Sequence, residues 1–410
     1  MSRPVLFEAA RLLSRAERGA PTGVDRVCLA YAEHLLARHG PALTPVWTRG
    51  ERVWGVDPGW FAEQVAELRA RWSEDPGKGP LERRLIQALG HPSRRSILNL
   101  HGSEVETARA RRSATVNRLL RARPLPTRLS DALYINVGHT GLERPGPLER
   151  LREAGARPVL MLHDLIPVTH PEYCRPGEGP RHRGRVRAAL RLADRLVANS
   201  AYTADEIGAF AAWEGLNAPP VHVSHLGLEP AFLQRGWLPT PRPWFIHVGT
   251  LEGRKNLAFL LSLWRRIAER RGDEAPGLLL LGRPGWENEA VLDHLERSPP
   301  LQGLVHHAAE LPDAALARLM RGARALLAPS SVEGFDLPVA EARALGVPVI
   351  ASDIAAHREV APDSRLVDPT DGPGWLNAVE DALAGRLKPP PSPGRGWSDH
   401  FASLHRALEP

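Results

Sequence analysis

Two glutamates, Glu333 and Glu341, stand eight residues apart in the run PSSVEGFDLPVAEARALGVPVIASD from Pro329 to Asp353. A strand RALLA ends at Pro329, a loop carries Glu333 and Gly334, and Pro338 falls where the first turn of a helix tolerates a missing N–H. Glu341 then lies in the opening turns of that helix. This placement lets both carboxylates face the crevice at the carboxyl ends of the strands, where open α/β sheets bind ligands. Between them, free backbone N–H groups and the positive helix end attract an anion. Two acceptors flanking an anion site suit a ligand that combines hydroxyls with a diphosphate, as a nucleotide-sugar does. The spacing alone carries nothing, since two glutamates eight apart arise often by chance; the surrounding residues decide.

A second chemical element is FIHVGTLEGRKNLAFLL, from Phe245 to Leu261. A strand ending at Gly249 runs into a loop with Arg254 and Lys255, followed by a helix capped near Asn256. Two cations beside a helix N-terminus favour a diphosphate. Lysine is scarce here, occurring only as Lys78, Lys255 and Lys388, and one of the three sits in this loop. In the first half, His163 and Asp164 follow the strand PVLML, and Asn136 and His139 lie in YINVGHTGLE on the same side of the sheet. Thr22 and Gly23 precede a long helix. A small glycine-bearing loop there can approach a diphosphate closely, or Thr22 can serve as a plain N-cap. Ser200, in ANSAYTADEI, can likewise cap the helix it precedes.

The elements that must hold these residues alternate. From Trp244 onward, WFIHVG, GLLLLG, LVHHA, RALLAPS and VPVIAS are short apolar runs separated by helical patterns, the signature of βαβ units and a parallel sheet covered on both faces. The first half is similar in kind, with PVLFEAA, SILNL, ALYINV, PVLMLHD, DRLVANS and VHVSHLG as strands and helices over about 24–38 and 183–192. Residues 45–125 match no recognisable motif. Prolines and lost periodicity over 228–243 suggest a linker. The expected organisation is an N-terminal Rossmann-like domain over 1–235, a C-terminal one over 236–390, and a helix over 391–410 crossing back to the first.

The segment Glu333 to Glu341 resembles the E-x7-E motif of family 4 glycosyltransferases, the glycosyl transferases group 1 type found in bacteria. That motif commonly reads E-G-F-G-L-P-x-x-E-A, after P-S and before G-x-P-V-I-A-S. Asp336 stands where the family usually has glycine. The resemblance implies two Rossmann-like α/β domains whose parallel sheets face across a cleft (GT-B), and a retaining, metal-independent transfer from a UDP- or GDP-linked sugar to a saccharide or lipid-linked saccharide acceptor. It implies that Glu333 and the backbone of Gly334, Phe335, Asp336 and Leu337 contact the donor sugar, and that Glu341 holds the ribose hydroxyls. Asp336 implies a different approach of that sugar, or a different sugar. Lys255 fits the family's lysine beside Gly249, and Arg254 replaces an arginine absent at Thr250. Thr22 and Gly23 match the family's glycine-rich loop in part. His163 takes the place of a histidine that faces the sugar, and Asn136, His139 and Asp164 fall on the acceptor side. An epimerase on the same double fold, or a silent GT-B protein binding a membrane or polyanion, is the alternative.

Composition bounds these readings. A chain of 410 residues exceeds a single ordinary core, so two domains are expected. With 43% apolar and 24% charged residues it reads as globular. An apolar run long enough to span a membrane is missing, as is the apolar core of a secretory signal, so the expectation is a cytoplasmic protein, peripheral at the inner membrane face. Cys28 and Cys174 supply neither a disulfide framework nor a thiolate metal site. No Asp-x-Asp follows an apolar strand, and neither a metal nor another cofactor is expected. The net charge of +6 rests on arginine, clustered at Arg83, Arg84, Arg94, Arg95, Arg109, Arg111, Arg112, Arg118, Arg121, Arg123 and Arg128. Such a cluster attracts an anionic membrane surface, or is a solvated helical face. No nucleic-acid-binding motif accompanies it, and no G-x-G-x-x-G dehydrogenase fingerprint is present.

Overall fold

The computed structural model describes residues 3–15, 20–73, 79–91, 95–100, 121–391 and 393–408. In chain order the strands are β1 (Val5–Glu8), β2 (Leu43–Arg49), β3 (Arg52–Val56), β4 (Leu98–Asn99), β5 (Ala122–Arg123), β6 (Leu133–Asn136), β7 (Arg157–Leu162), β8 (Arg195–Ala198) and β9 (Val221–Val223), followed by β10 (Trp244–Val248), β11 (Gly277–Leu281), β12 (Val305–Ala308), β13 (Leu326–Ala328), β14 (Val349–Ser352) and β15 (Arg365–Val367). They form two sheets, ordered β5-β3-β2-β1-β6-β7-β8-β9 and β15-β14-β13-β10-β11-β12-β4. All pairings are parallel except β2 with β3 and β3 with β5.

The chain divides into two compact units. The first draws on the described residues within Met1–Trp72, Glu104–His225 and Ala402–Pro410, the second on those within Ser73–Ser103 and Leu226–Phe401. In the first, order reverses between β1 and β6; in the second, between β10 and β13. Each reversal opens a crevice at the carboxyl ends of the strands, the usual ligand position in open α/β sheets.

The second unit's core follows from its sequence. Every residue of β11 is buried, because helices cover both faces of a parallel sheet. Helix Leu257–Arg271 buries Leu257, Leu260, Leu261, Leu263, Trp264 and Ile267, a stripe at helical spacing. Phe245 and Trp264 meet edge to face within that core. In the first unit, helix Gly23–His39 starts from a capping box in which Thr22 and Asp25 satisfy each other's backbone N–H groups.

Three expectations change. The stretch 228–243 is packed into the second unit rather than left as a linker: Phe232 is fully buried, Leu228 bridges to Gly396, and Trp237 Nε1 donates to the Ala323 carbonyl at 2.8 Å. The strand SILNL belongs to the second sheet. Asn99 and Leu98 pair with Ala308 and His307 of β12, and helix Pro80–Gly90 buries Leu85 and Leu89, so burial of these leucines fixes the location of 79–91 and 95–100. The arginine cluster is also divided. Arg83, Arg84 and Arg95 lie in the second unit and Arg121, Arg123 and Arg128 in the first, all exposed; Arg123 pairs with Asp57, and Arg121 lies over the Trp60 ring at 5.6 Å. Arg94, Arg109, Arg111, Arg112 and Arg118 lie outside the described residues. The final helix, Trp397–Leu408, contains the division between the units, after Phe401. No helix among the described residues is long and apolar enough to cross a membrane.

Candidate functional site

In the second unit, Arg254 and Lys255 follow β10 and Glu333 to Asp336 follow β13, so the two loops flank the reversal point of the sheet. They meet in a buried ion cluster. Lys255 Nζ lies 2.6 Å from Glu333 Oε1 and 3.6 Å from Asp336 Oδ2. Arg254 holds the other Glu333 oxygen at 2.6 Å and Glu252 at 2.7 Å. The loops are also tied by their backbones, the Ser331 N–H donating to the Arg254 carbonyl at 2.8 Å. Lys255 is only 4% exposed and Glu333 6%, so water does little to screen these charges. Burial works to raise the Glu333 pKa, but Arg254 and Lys255 outweigh it and hold the carboxyl below its ordinary value. The same contest at Asp336 is won by Lys255 and His357, leaving that carboxyl well below the usual range.

Two histidines complete this cluster. His357 Nε2 lies 3.2 Å from Asp336 Oδ2 and its Nδ1 lies 2.9 Å from the Ser352 carbonyl. His247, on β10, donates from Nδ1 to the Leu327 carbonyl at 2.9 Å. Burial, with the Lys255 charge beside it, pushes the His247 pKa down to about 4, so this ring is neutral at pH 7. A Cβ at Gly249 would stand 3.0 Å from Lys255 Cε and 3.3 Å from His247 Nε2, which explains glycine at this strand end: it leaves the lysine its place. At Gly282, a Cβ would collide with the Gly249 carbonyl, so the loops after β10 and β11 touch through backbone. Glu341, on helix Leu337–Leu345, is 1% exposed.

The first unit has its own cavity, of about 370 Å3, at the carboxyl ends of β1, β6 and β7. Arg11, His139, His163, Asp164, His182 and Arg185 are among its walls. His163 donates from Nε2 to the Val137 carbonyl at 2.8 Å, and its backbone N–H donates to His139 Nε2 at 3.3 Å. Burial lowers the pKa of both rings, His139 well below its ordinary value. Arg11 and Arg185 therefore bring to this cavity a positive charge that His139 and His163 do not. Asn136 lies behind the wall: its Nδ2 donates to the Thr140 carbonyl at 2.9 Å and its Oδ1 accepts from Gly138 N–H at 3.2 Å, shaping the loop that carries His139. Thr22 caps its helix and accepts from Arg11 at 3.3 Å.

Of the residues singled out by sequence, the structure gathers Gly249, Arg254, Lys255, Glu333 and Asp336 in one cluster, and His139, His163 and Asp164 around one cavity. Sequence reasoning missed His247, His357 and Arg11. A histidine inside the apolar run FIHV was the available signal for the first; His357 and Arg11 had none, because only folding brings them to their partners.

Residues 242–385 match the family described as glycosyl transferases group 1. The chain is 30% identical over 255 residues to the serotype-specific mannosyltransferase WbdA of Escherichia coli, covering 58% of this chain and 31% of that protein. It is 36% identical over 127 residues to the O-antigen chain mannosyltransferase B of the same organism, covering 31% of this chain and 33% of the relative. The chain thus spans about a third of the length of these curated relatives. Among solved structures it is similar to Anabaena HepE in complex with UDP-glucose, with a TM-score of 0.58 and 15% identity, covering 94% of this chain and 91% of the other. That likeness, with the two mostly parallel sheets, makes the fold GT-B.

Proposed function

We propose that this protein is a glycosyltransferase moving a sugar from a UDP- or GDP-linked donor to a saccharide or lipid-linked saccharide in bacterial surface polysaccharide synthesis. The observation that carries the reading is the buried cluster of Arg254, Lys255, Glu333 and Asp336 at the reversal point of the second sheet. A diphosphate offers Arg254 and Lys255 better partners than carboxylates do, since its oxygens carry more charge and accept several donors at once. Once those cations turn to it, Glu333 is released to accept hydroxyls of the donor sugar. Glu341 takes the ribose hydroxyls, as the resemblance implies. The cavity of the first unit takes the acceptor, with Asp164, His139 and His163 in its wall and Asn136 shaping its loop.

The chemistry follows from where charge develops. As the bond between C1 and the diphosphate oxygen breaks, negative charge grows on the leaving phosphate, and Arg254 and Lys255 are already in place to stabilise it without reorganisation. The acceptor hydroxyl bonds to C1 from the face the phosphate leaves, and its proton passes to the departing phosphate oxygen, so configuration at C1 is retained. In this scheme the two cations do the work a metal does elsewhere. An anionic membrane surface is proposed as the place where a lipid-linked acceptor is met.

The test is a transfer assay with UDP-glucose and GDP-mannose, with and without lipid-linked saccharide extracted from a bacterial membrane. Release of nucleoside diphosphate only when acceptor is present, with the anomeric configuration kept by NMR, is the expected result. Release of free hexose without acceptor would refute transfer, and an inverted product would refute the front-face step.

A further inference from the structure

Asp336 has a side chain that its backbone position does not call for. The residue sits at φ +69° and ψ +76°, in the left-handed region where glycine is the unstrained choice. Its carboxylate makes no capping bond to the helix Leu337–Leu345 that it precedes. The side chain is 2% exposed. Oδ2 lies against His357 Nε2 and Lys255 Nζ, while Oδ1 meets no hydrogen-bond donor among the described residues.

His357 Nδ1 faces the Ser352 carbonyl, and its Nε2 faces Asp336. The ring is fully buried and holds one carboxylate oxygen in place. A buried carboxylate whose second oxygen goes unused costs stability.

We propose, resting on the donor-site reading above, that Asp336 is a specificity-determining residue for the donor sugar. Its Oδ1 accepts a hydroxyl of a neutral nucleotide-linked hexose and turns away a sugar bearing a carboxylate at that place. His357 is a positioning residue that holds Oδ2 and leaves Oδ1 for the ligand. A site built to receive a hydroxyl rejects a ligand that cannot supply one, because the acceptor then stays buried and unpaired. A second carboxylate adds like-charge repulsion to that loss.

Calorimetric titration tests this without relying on transfer. The probes are UDP, GDP, UDP-glucose, UDP-glucuronate, GDP-mannose and GDP-mannuronate, each with the full chain. With the matched base, wild type is expected to prefer the hexose over the uronate by roughly 10- to 100-fold, the affinity equivalent of one unpaired buried acceptor. Asp336→Gly, which suits the positive φ, narrows that gap to within about threefold and leaves affinity for the free nucleoside diphosphate undiminished. Asp336→Asn, which keeps an acceptor but loses the charge, narrows it as well and serves should the glycine variant not fold. His357→Gln lowers the hexose-to-uronate ratio while affinity for the free nucleoside diphosphate holds. A preference that survives in the Asp336 variants overturns the proposal, and one that survives in His357→Gln overturns the positioning role. Equal wild-type binding of hexose and uronate overturns it too, while leaving the donor site in place. If no nucleotide or nucleotide-sugar binds wild type, the donor-site reading falls with it.

Discussion

Lys255→Met removes the cation that two buried carboxylates share and leaves its volume largely filled. At an effective dielectric of about 20, unit charges at the observed 2.6 and 3.6 Å attract by about 6 and about 5 kcal/mol. Desolvation of the three groups offsets much of this, and removing one partner of a buried pair costs about 3–5 kcal/mol net. Arg254 still holds Glu333 and His357 still holds Asp336, so the low end, about 3 kcal/mol, is expected at pH 7.5. For a unit of this size, that lowers the melting temperature by about 6–12 °C. The sign of the pH dependence is fixed by the lowered carboxylate pKa values. In wild type they contribute stability that is fully present above the ordinary carboxylate range and lost as pH falls through the folded values. Without Lys255 that lowering is weaker, so the variant gains less stability as pH rises through the carboxylate range. The gap between the two proteins therefore widens from about pH 3 to pH 7.5. Scanning calorimetry of the ligand-free proteins at both pH values reads it. Melting within about 2 °C of wild type at pH 7.5, or a gap independent of pH, refutes the idea that this lysine neutralises the cluster.

Glu341→Ala is expected to weaken binding of the matched nucleoside diphosphate by about 1.5–3 kcal/mol, the loss of a hydrogen bond to a charged acceptor; unchanged affinity by calorimetry would remove it from the ribose. Glu8, buried at the end of β1 and bonded by Ala10 N–H and Tyr134 Oη, has its pKa raised from 4.5 to about 7 by burial. The folded protein keeps a proton there that the unfolded chain gives up, so stability falls by roughly 3 kcal/mol as pH rises through this window and levels above it. Glu8→Gln flattens that slope in melts from pH 5 to 8, and an identical slope in both proteins would contradict the assignment. Gly282→Ala, which drives a Cβ into the Gly249 carbonyl, costs about 1–3 kcal/mol by denaturant unfolding; a neutral effect would mean that the two loops part easily.

The βαβ alternation of the second half was legible because its strands are short apolar runs, and β10 to β14 lie where they were read. β15 escaped because three residues beginning with an exposed arginine carry no pattern. The hairpin of β2 and β3 was missed because LTPVWTR, with a proline and two threonines, does not look like a buried strand. SILNL was recognised as a strand but placed with the wrong sheet, since a strand's own residues do not say which edge will accept it. The site shows the same limit. The types of Arg254, Lys255 and Glu333 announced a ligand for anions and hydroxyls, but that they neutralise one another in the free protein depends on loops 78 residues apart meeting. His357 entered through a pairing that the sequence does not mark.

Strand β4 has a consequence for solubility. β12 would otherwise be the outermost strand of its sheet, with a row of backbone groups open to any extended chain. Leu98 and Asn99 cover it in parallel, and the helix before them is pinned by Arg318 and Glu82, whose carboxylate accepts two bonds at 2.8 and 2.9 Å. A fragment beginning near residue 226 would keep the residues that match the family and lose this guard. Such a truncated protein is expected to self-associate through β12, whereas an internal deletion that retains 79–100 on a short tether stays monomeric. The short, two-residue strand thus acts as a plug against aggregation, supplied from the other half of the chain.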